Sequence, residues 1–210
     1  MKKNEYRGFY KKYDMNGRID IGTGSVQVCD IFDDIPSFMY DADVLFIDPP
    51  CNNRNLNFFY NKTDEEKKGD ISSFNIRLFT LISEISPRHV FIEAFKSNKE
   101  KMISHVVNLG YEVDVYDSYY YYNEKNRCWI IHGRKPDEEK FDLPYTDEEK
   151  IIEFICKNLQ FECIGDLCIG KGLVGFYANQ YAKKFVGTEL NHKRLACLIE
   201  HINQGKIIVR

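Results

Sequence analysis

No run of apolar residues in this 210-residue chain approaches the roughly 18 that a membrane-spanning helix needs. The charged N-terminus lacks the pattern of a secretory signal. There is no cysteine framework either: the seven cysteines are odd in number and scattered, without the paired C-x-x-C spacing of a zinc site. The tightest group, Cys156, Cys163 and Cys168, falls on a predicted helix and a predicted strand. No metal is expected, and a reducing cytoplasm is the expected compartment. Neither charge sign dominates, the formal net charge being -3, so any basic surface must be local. Internal repeats and long linkers are missing as well. One domain over residues 1–210 is therefore the expectation.

What is present is an alternation of strands and helices. Residues 1–23 form a basic, aromatic segment with Lys2, Lys3, Arg7, Lys11, Lys12 and Arg18 among Tyr6, Phe9, Tyr10 and Tyr13. Such a segment suits phosphate contact and base stacking, or a helix that packs by its tyrosines. "SVQVCDI" and "ADVLFID" read as strands, the second apolar on both faces as in a parallel sheet. Residues 52–69 are polar and read as a loop. "DISSFNIRLFTLISEI" has helical spacing and is stopped by Pro87. Strand "HVFIEAF" and a helix ending at Gly110 follow. Two further strands joined by "NEKN" read as an antiparallel pair, and Tyr119 to Tyr122 end the first of them. Residues 136–150 are acidic and read as a solvated loop, with Thr146 opening a capping box. Strand "FECIGDL", turn "CIGKG", a helix, strand "KFVGTEL" and a helix capped by Asn191 complete the series. The fold expected is α/β: a mostly parallel twisted sheet with an antiparallel hairpin at one edge. Trp129 reads as core, and the five histidines suggest no grouping.

Two stretches carry chemistry. In "ADVLFIDPPCNN" a buried strand delivers Asp48 to its tip and two prolines stiffen the chain after it. An Asp-Pro turn with no further role would look the same. In the second, Gly170, Gly172 and Gly175 fit G-x-G-x-x-G between a strand and a helix, and Glu189 ends the next strand. Such glycines let the backbone approach a ligand, and an acid at the neighbouring tip can accept both hydroxyls of a ribose. This pattern alone also fits a nicotinamide dinucleotide enzyme. Little chain follows Glu189 to build that enzyme's second half, and Asp166 precedes the glycines.

Together the two stretches resemble the S-adenosylmethionine-dependent DNA amino-methyltransferases (adenine-N6/cytosine-N4). That family has a D/N/S-P-P-Y/F/W catalytic motif and a D-x-F-x-G-x-G cofactor motif. Here they stand as Asp48-Pro49-Pro50-Cys51 and Asp166-Leu167-Cys168-Ile169-Gly170-Lys171-Gly172. Catalytic motif first and cofactor motif late is similar to the permuted beta order of that family. The resemblance implies a single-domain, Rossmann-like S-adenosylmethionine methyltransferase fold. It implies S-adenosyl-L-methionine as cofactor, met by Asp30, Asp48, Asp166, Cys168, Gly170, Gly172, Glu189 and Leu190. Catalysis falls to Asp48, Pro49, Pro50 and Cys51. An exocyclic amine is a poor nucleophile, and acceptors aimed at its two N–H groups stabilise the charge that develops on nitrogen. Asp48 supplies one acceptor and the Pro49 carbonyl the other, with positioning giving much of the rate.

Cys51 departs from the family, whose aromatic residue there stacks on a flipped-out base. Base–aromatic stacking is worth roughly 1 to 3 kcal/mol, so Phe58, Phe59, Tyr60 and Tyr121 are expected to supply it instead. Cys168 also replaces an aromatic. No separate target-recognition segment is evident, which leaves recognition to the 52–69 loop, the N-terminal segment, a homodimer mate or a partner subunit. The resemblance implies DNA as substrate, with adenine N6 favoured, in an AT-rich bacterium or a phage-infected cell. RNA as the substrate, or a non-catalytic subunit of a larger complex, are the alternatives it leaves open.

Overall fold

The computed structural model describes residues 6, 8–120 and 123–209. Among the described residues eight strands form one sheet: β1 (Arg18–Ile21), β2 (Gly24–Val28), β3 (Val44–Ile47), β4 (His89–Ala94), β5 (Glu112–Tyr119), β6 (Arg127–Arg134), β7 (Cys163–Asp166) and β8 (Lys184–Glu189). Their order is β1-β2-β8-β7-β3-β4-β6-β5. From β2 to β4 every neighbouring pair is parallel. The hairpin β5–β6 closes one edge, pairing antiparallel with β4. A second, shorter hairpin, β1–β2, closes the opposite edge. The sequence reading missed β1 because its four residues alternate exposed and half-buried at an edge, a pattern that a polar tail shares.

Among the described residues six α-helices cover the two faces: α1 (Asn53–Tyr60), α2 (Ile71–Ile85), α3 (Lys99–Asn108), α4 (Glu148–Asn158), α5 (Leu173–Gln180) and α6 (His192–Gln204). Among the described residues none is long and apolar enough to cross a membrane. Strand alternation divides the core. Leu45, Ile47, Val90 and Ile92 pack with Leu78, Ile82 and Met102 beneath α2 and α3. Val44, Phe46 and Phe91 point the other way, towards Ile151, Ile155 and Leu198 of α4 and α6. Each such side chain, wholly withdrawn from water, contributes about 1.5–3 kcal/mol.

Several expectations are corrected. Residues 52–69 are not all loop: Asn52 accepts from the Asn55 N–H and starts α1, and Leu56 and Tyr60, one turn apart, bury its inner side. The cap of α4 is Asp147, which accepts from the Lys150 N–H. The Thr146 carbonyl instead accepts from the Tyr119 N–H and the Ser118 hydroxyl. The acidic stretch is not solvated throughout, since Asp147 and Glu149 are buried and Glu149 accepts from the Tyr177 hydroxyl at 2.8 Å. Trp129 is half-buried rather than core, with Lys99 Nζ 5.0 Å from its ring centroid. Two histidines do meet: His89 Nδ1 lies 3.0 Å from His132 Nε2, at the start of β4 and so at the end of the sheet remote from Asp48.

The N-terminal segment is no free arm where it is described. Phe9 is buried against Ala196 and Cys197 of α6, with Tyr10 and Tyr13 packed beside it. Lys12 Nζ and the Tyr13 hydroxyl both donate to Glu200 Oε1. Lys2, Lys3 and Arg7 lie outside the described residues.

Candidate active site

The C-terminal tips of β3, β7 and β8 stand side by side in the sheet, which is where an open α/β sheet presents its ligand crevice. Asp48 follows β3 directly, with buried Pro49 and Pro50 behind it. Asp166 ends β7, and its Oδ1 accepts from the Cys168 N–H at 2.8 Å. Glu189 ends β8. One of its oxygens accepts from the Gly170 N–H and the other from the Asn191 N–H, at 2.8 and 2.9 Å. The second strand tip is thereby fastened to the glycine turn.

That turn needs its glycines. Gly170 and Gly172 have φ of 59° and 84°, the left-handed region that other residues enter at a cost. Gly172 opens α5. A Cβ on it would lie 2.5 Å from Leu198 Cβ, so close contact with α6 excludes any side chain.

Two cavities meet at Asp48. The larger, a cleft of about 380 Å³, runs past Pro49, Pro50 and Cys51 to Phe58, Phe95, Tyr120, Glu93 and Glu148. The smaller, about 60 Å³, is lined by Asp30, Tyr60, Leu167, Glu189 and Leu190. Asp48, Pro50, Phe59, Cys168 and Arg194 border both. The Arg194 guanidinium sits 5.0 Å from the Phe59 ring centroid and 3.9 Å from Glu189 Oε2.

The electrostatics are those of crowded acids. Asp48 opens onto the cleft, yet the surrounding protein strips its water and pushes its pKa up to about 6 against the pull of Arg194. Asp166 is raised well above its ordinary value by burial first, with Asp48 and Glu189 adding. Glu148 is pushed up to about 8, by burial and then by Asp48. The stability consequence has a definite sign. An unfolded Glu148 ionises near 4.5, so between that pH and about 8 the folded chain holds the extra proton and stability falls as pH rises. Glu148→Gln is expected to raise Tm at pH 8, by about 2–4 °C for each kcal/mol relieved, and to leave it unchanged at pH 4. Thermal unfolding followed by circular dichroism at the two pH values reads the difference.

The site residues expected from sequence divide clearly. Asp48, Pro49, Pro50, Cys51, Asp166, Cys168, Gly170, Gly172, Glu189 and Leu190 all border the two cavities. Phe58 and Phe59 reach the cleft, Phe58 being 52% exposed with Lys62 Nζ 4.1 Å from its ring centroid. Tyr60 does not join them. It is one helical turn past Leu56, faces inward, and donates to Asp30 Oδ2 at 2.8 Å, so it offers no ring to the cleft. Asp30 is held at its other oxygen by the Phe32 N–H, and it borders the smaller cavity. Tyr121 lies outside the described residues; Tyr120 lines the cleft instead, edge-on to Phe95 at 5.9 Å. Cys51 is no activated nucleophile, because burial and the nearby Asp48 raise its pKa and a thiolate needs the opposite. The reading missed Glu93, Phe95, Glu148 and Arg194. Glu93 left a visible trace, a carboxyl inside the apolar run "HVFIEAF".

No protein-family model matches the chain, and no curated protein matches it. Solved structures do. M1.HpyAVI, solved as a complex with SAM (S-adenosyl-L-methionine), aligns over 86% of this chain and 99% of its own, with TM-score 0.58 and 12% identity. A protein of Thermus thermophilus, provisionally named a DNA modification methylase, aligns over 86% and 94%, with TM-score 0.59 and 11% identity. PvuII DNA methyltransferase, which is cytosine-N4-specific, aligns over 91% and 95%, with TM-score 0.59 and 8% identity. At these identities the likeness is one of fold: this chain is built as those DNA methyltransferases are.

Proposed function

We propose that this chain transfers a methyl group from S-adenosyl-L-methionine to the exocyclic amine of a DNA base, with adenine N6 the preferred target. The observation that carries this reading is the convergence, at the C-terminal ends of the central strands, of the rigid Asp48-Pro49-Pro50 tip and the Gly170–Gly172 cradle tied to Glu189. The site fits the cofactor. Its glycine turn, fastened to Glu189, borders the cleft without side chains of its own at Gly170 and Gly172, and its carboxyls outnumber its cations, which suits a ligand bearing a sulfonium and an ammonium. Asp30, Asp166, Cys168, Gly170, Gly172, Glu189 and Leu190 would hold it. When bound, S-adenosyl-L-methionine supplies an electrophilic methyl group on sulfur.

This chain's own residues do the rest. The Asp48 carboxylate and the Pro49 carbonyl accept the two N–H groups of the amine and turn its lone pair out of conjugation. As the nitrogen gains the methyl group it sheds a proton, and Asp48, with a pKa near 6, is a suitable acceptor. Cys51 gives no π face, so Phe58, Phe95 and Tyr120 line the path of a flipped base. Lys62 and Lys171 at the cleft suit contact with the phosphate backbone. We read residues 1–210 as one methyltransferase domain, in the permuted motif order, acting in the cytoplasm of a bacterial or phage-infected cell.

The test is transfer from labelled S-adenosyl-L-methionine to unmodified AT-rich duplex DNA, with single-stranded RNA in parallel and products read as nucleosides by mass spectrometry. N6-methyldeoxyadenosine is the expected product. N4-methyldeoxycytidine would establish the second reading, which the likeness to the cytosine-N4 enzyme PvuII supports. Label in RNA alone would overturn DNA as substrate. No label in either would sink the unaided enzyme.

A further inference from the structure

The proposed reaction uses Asp48 and Pro49 and leaves two neighbouring acids without a task. β3 and β4 are parallel, with Ile47 opposite Ile92, so Asp48 and Glu93 are adjacent where the two strands end. Phe46 and Phe91, two residues earlier on each strand, lie on the α4 side of the sheet, and strand alternation aims Asp48 and Glu93 to that side as well. Glu148, in the first turn of α4, comes down onto them. Carboxyl oxygens of Asp48, Glu93 and Glu148 lie within 4.8 Å of one another. Like charges side by side on a sheet repel, so this trio needs protons or a ligand.

Glu93 supplies an independent sign of a ligand. It is 2% exposed, lines the 380 Å³ cleft, and among the described residues its Oε2 has no hydrogen-bond partner. A buried polar atom left unpaired costs about 1–3 kcal/mol, so this is an atom that a bound group completes.

The surroundings decide which group. Burial raises Glu93 well above the ordinary carboxyl range, and Asp48 and Glu148 add to it. Glu148 is raised in turn by burial, Asp48, Asp147 and Glu149. Cys128 of β6 is a neutral thiol beside Glu93. Arg194 of α6 acts on Asp48. With carboxyl oxygens of Asp48 and Glu148 within 4.8 Å and water excluded, Glu93 favours its protonated form, and a protonated Glu93 is a hydrogen-bond donor beside the acceptor Asp48. A donor next to an acceptor matches the edge that adenine and cytosine share, an exocyclic amine beside an unprotonated ring nitrogen. Guanine and thymine present a carbonyl and a ring N–H on that edge, the reverse pattern.

We propose that Glu93, held by Glu148, donates a hydrogen bond to the ring nitrogen beside the exocyclic amine of the target base, so that Asp48 and Glu93 together read the amine–ring-nitrogen edge. This inference rests on the methyl-transfer reading above.

Two measurements test it. The first is a carbon-13 titration of the glutamate carboxyls in the whole chain, assigned with Glu93→Gln and Glu148→Gln and repeated with Mg²⁺. Glu93 is expected to stay protonated at pH 7 with or without the ion. A trio fully ionised at pH 7, or one that sheds its protons on adding Mg²⁺, marks a cation site and overturns the proposal. The second compares methyl transfer to the natural base with transfer to its analogue lacking that ring nitrogen, 1-deazaadenine or 3-deazacytosine. Weaker pairing of the analogue eases flipping, so any loss reflects the missing contact. Wild type should prefer the natural base by about 10- to 100-fold. Glu93→Ala should treat both alike at the lower rate. Glu93→Gln, which keeps an N–H donor, should retain the preference and lose the fall in kcat/KM that wild type shows as pH rises past the ionisation of Glu93. Equal use of both bases by wild type, or a preference that survives in Glu93→Ala, overturns the inference while leaving methyl transfer intact. Absence of transfer by wild type is a different result, and it removes the parent reading and this one together.

Discussion

Asp48→Ala is expected to lower kcat for methyl transfer by about 10²–10³-fold, the usual penalty for removing one preorganised transition-state partner, while the folded protein becomes more stable. The two effects have one origin. Asp48 is held at the tip of β3 by two buried prolines, where it raises the pKa of Glu93, Glu148 and Asp166. Its own carboxyl is pushed up to about 6. A carboxyl whose folded pKa lies above its unfolded value weakens folding as pH rises between the two. Deleting the Asp48 carboxyl removes its own contribution and relieves its three neighbours, so the gain in Tm should be larger at pH 8 than at pH 5. Lost activity with raised Tm separates a chemical role from misfolding, which would lower both. The wild-type rate should fall on the acid side near pH 6, where Asp48 takes up its proton, and not near the roughly 3.9 of an ordinary aspartate. Asp48→Asn keeps one acceptor oxygen and should lie between. Rates and melting curves on the same preparations decide the matter. If Asp48→Ala kept as much as about a tenth of the activity, well above the loss expected for such a partner, Asp48 would have no place in the proposed chemistry.

What could be seen in the sequence follows from how local each feature is. The Asp48-Pro49-Pro50 tip and the glycine turn are continuous stretches whose backbone demands show in residue type, so both were legible and both lie at the cavities. The alternation of apolar strands and amphipathic helices likewise gave the parallel centre of the sheet. Glu93 needed more, because its meaning depends on the pairing of β3 with β4, a contact between residues far apart in the chain. Glu148 looked like part of a helix cap, and a cap explains an acid in the first turn without any cleft. Helix α1 was hidden by its three asparagines, which are weak helix formers. The side on which Tyr60 falls could be read only once that helix existed. Strand β1 was too short and too exposed to differ from a tail.

The two glycines of the turn should respond differently to alanine, and the contrast tests how the cofactor cradle is built. At Gly172 the backbone is left-handed, with φ 84°, and a Cβ would lie 2.5 Å from Leu198 Cβ and 2.7 Å from Leu198 Cγ. Leu198 is wholly buried on α6 and cannot step aside. Left-handed strain costs about 1–2 kcal/mol and overpacking about 1–3 kcal/mol more. For a chain of this length that sum lowers Tm by about 4–20 °C. At Gly170 the strain is similar, φ being 59°, but the added Cβ meets Arg194 Nη2 at 2.6 Å, the far end of a flexible side chain that can swing away. Gly170→Ala should therefore lose only the strain, about 1–2 kcal/mol. Its larger effect should fall on binding, because the methyl group moves the guanidinium that borders both cavities. Melting curves should rank Gly172→Ala well below Gly170→Ala. Calorimetric titration with S-adenosyl-L-methionine should find affinity lost in Gly170→Ala although most of its stability remains. Equal melting temperatures would mean that Leu198 yields, and full affinity in Gly170→Ala would mean that the cofactor does not approach the turn.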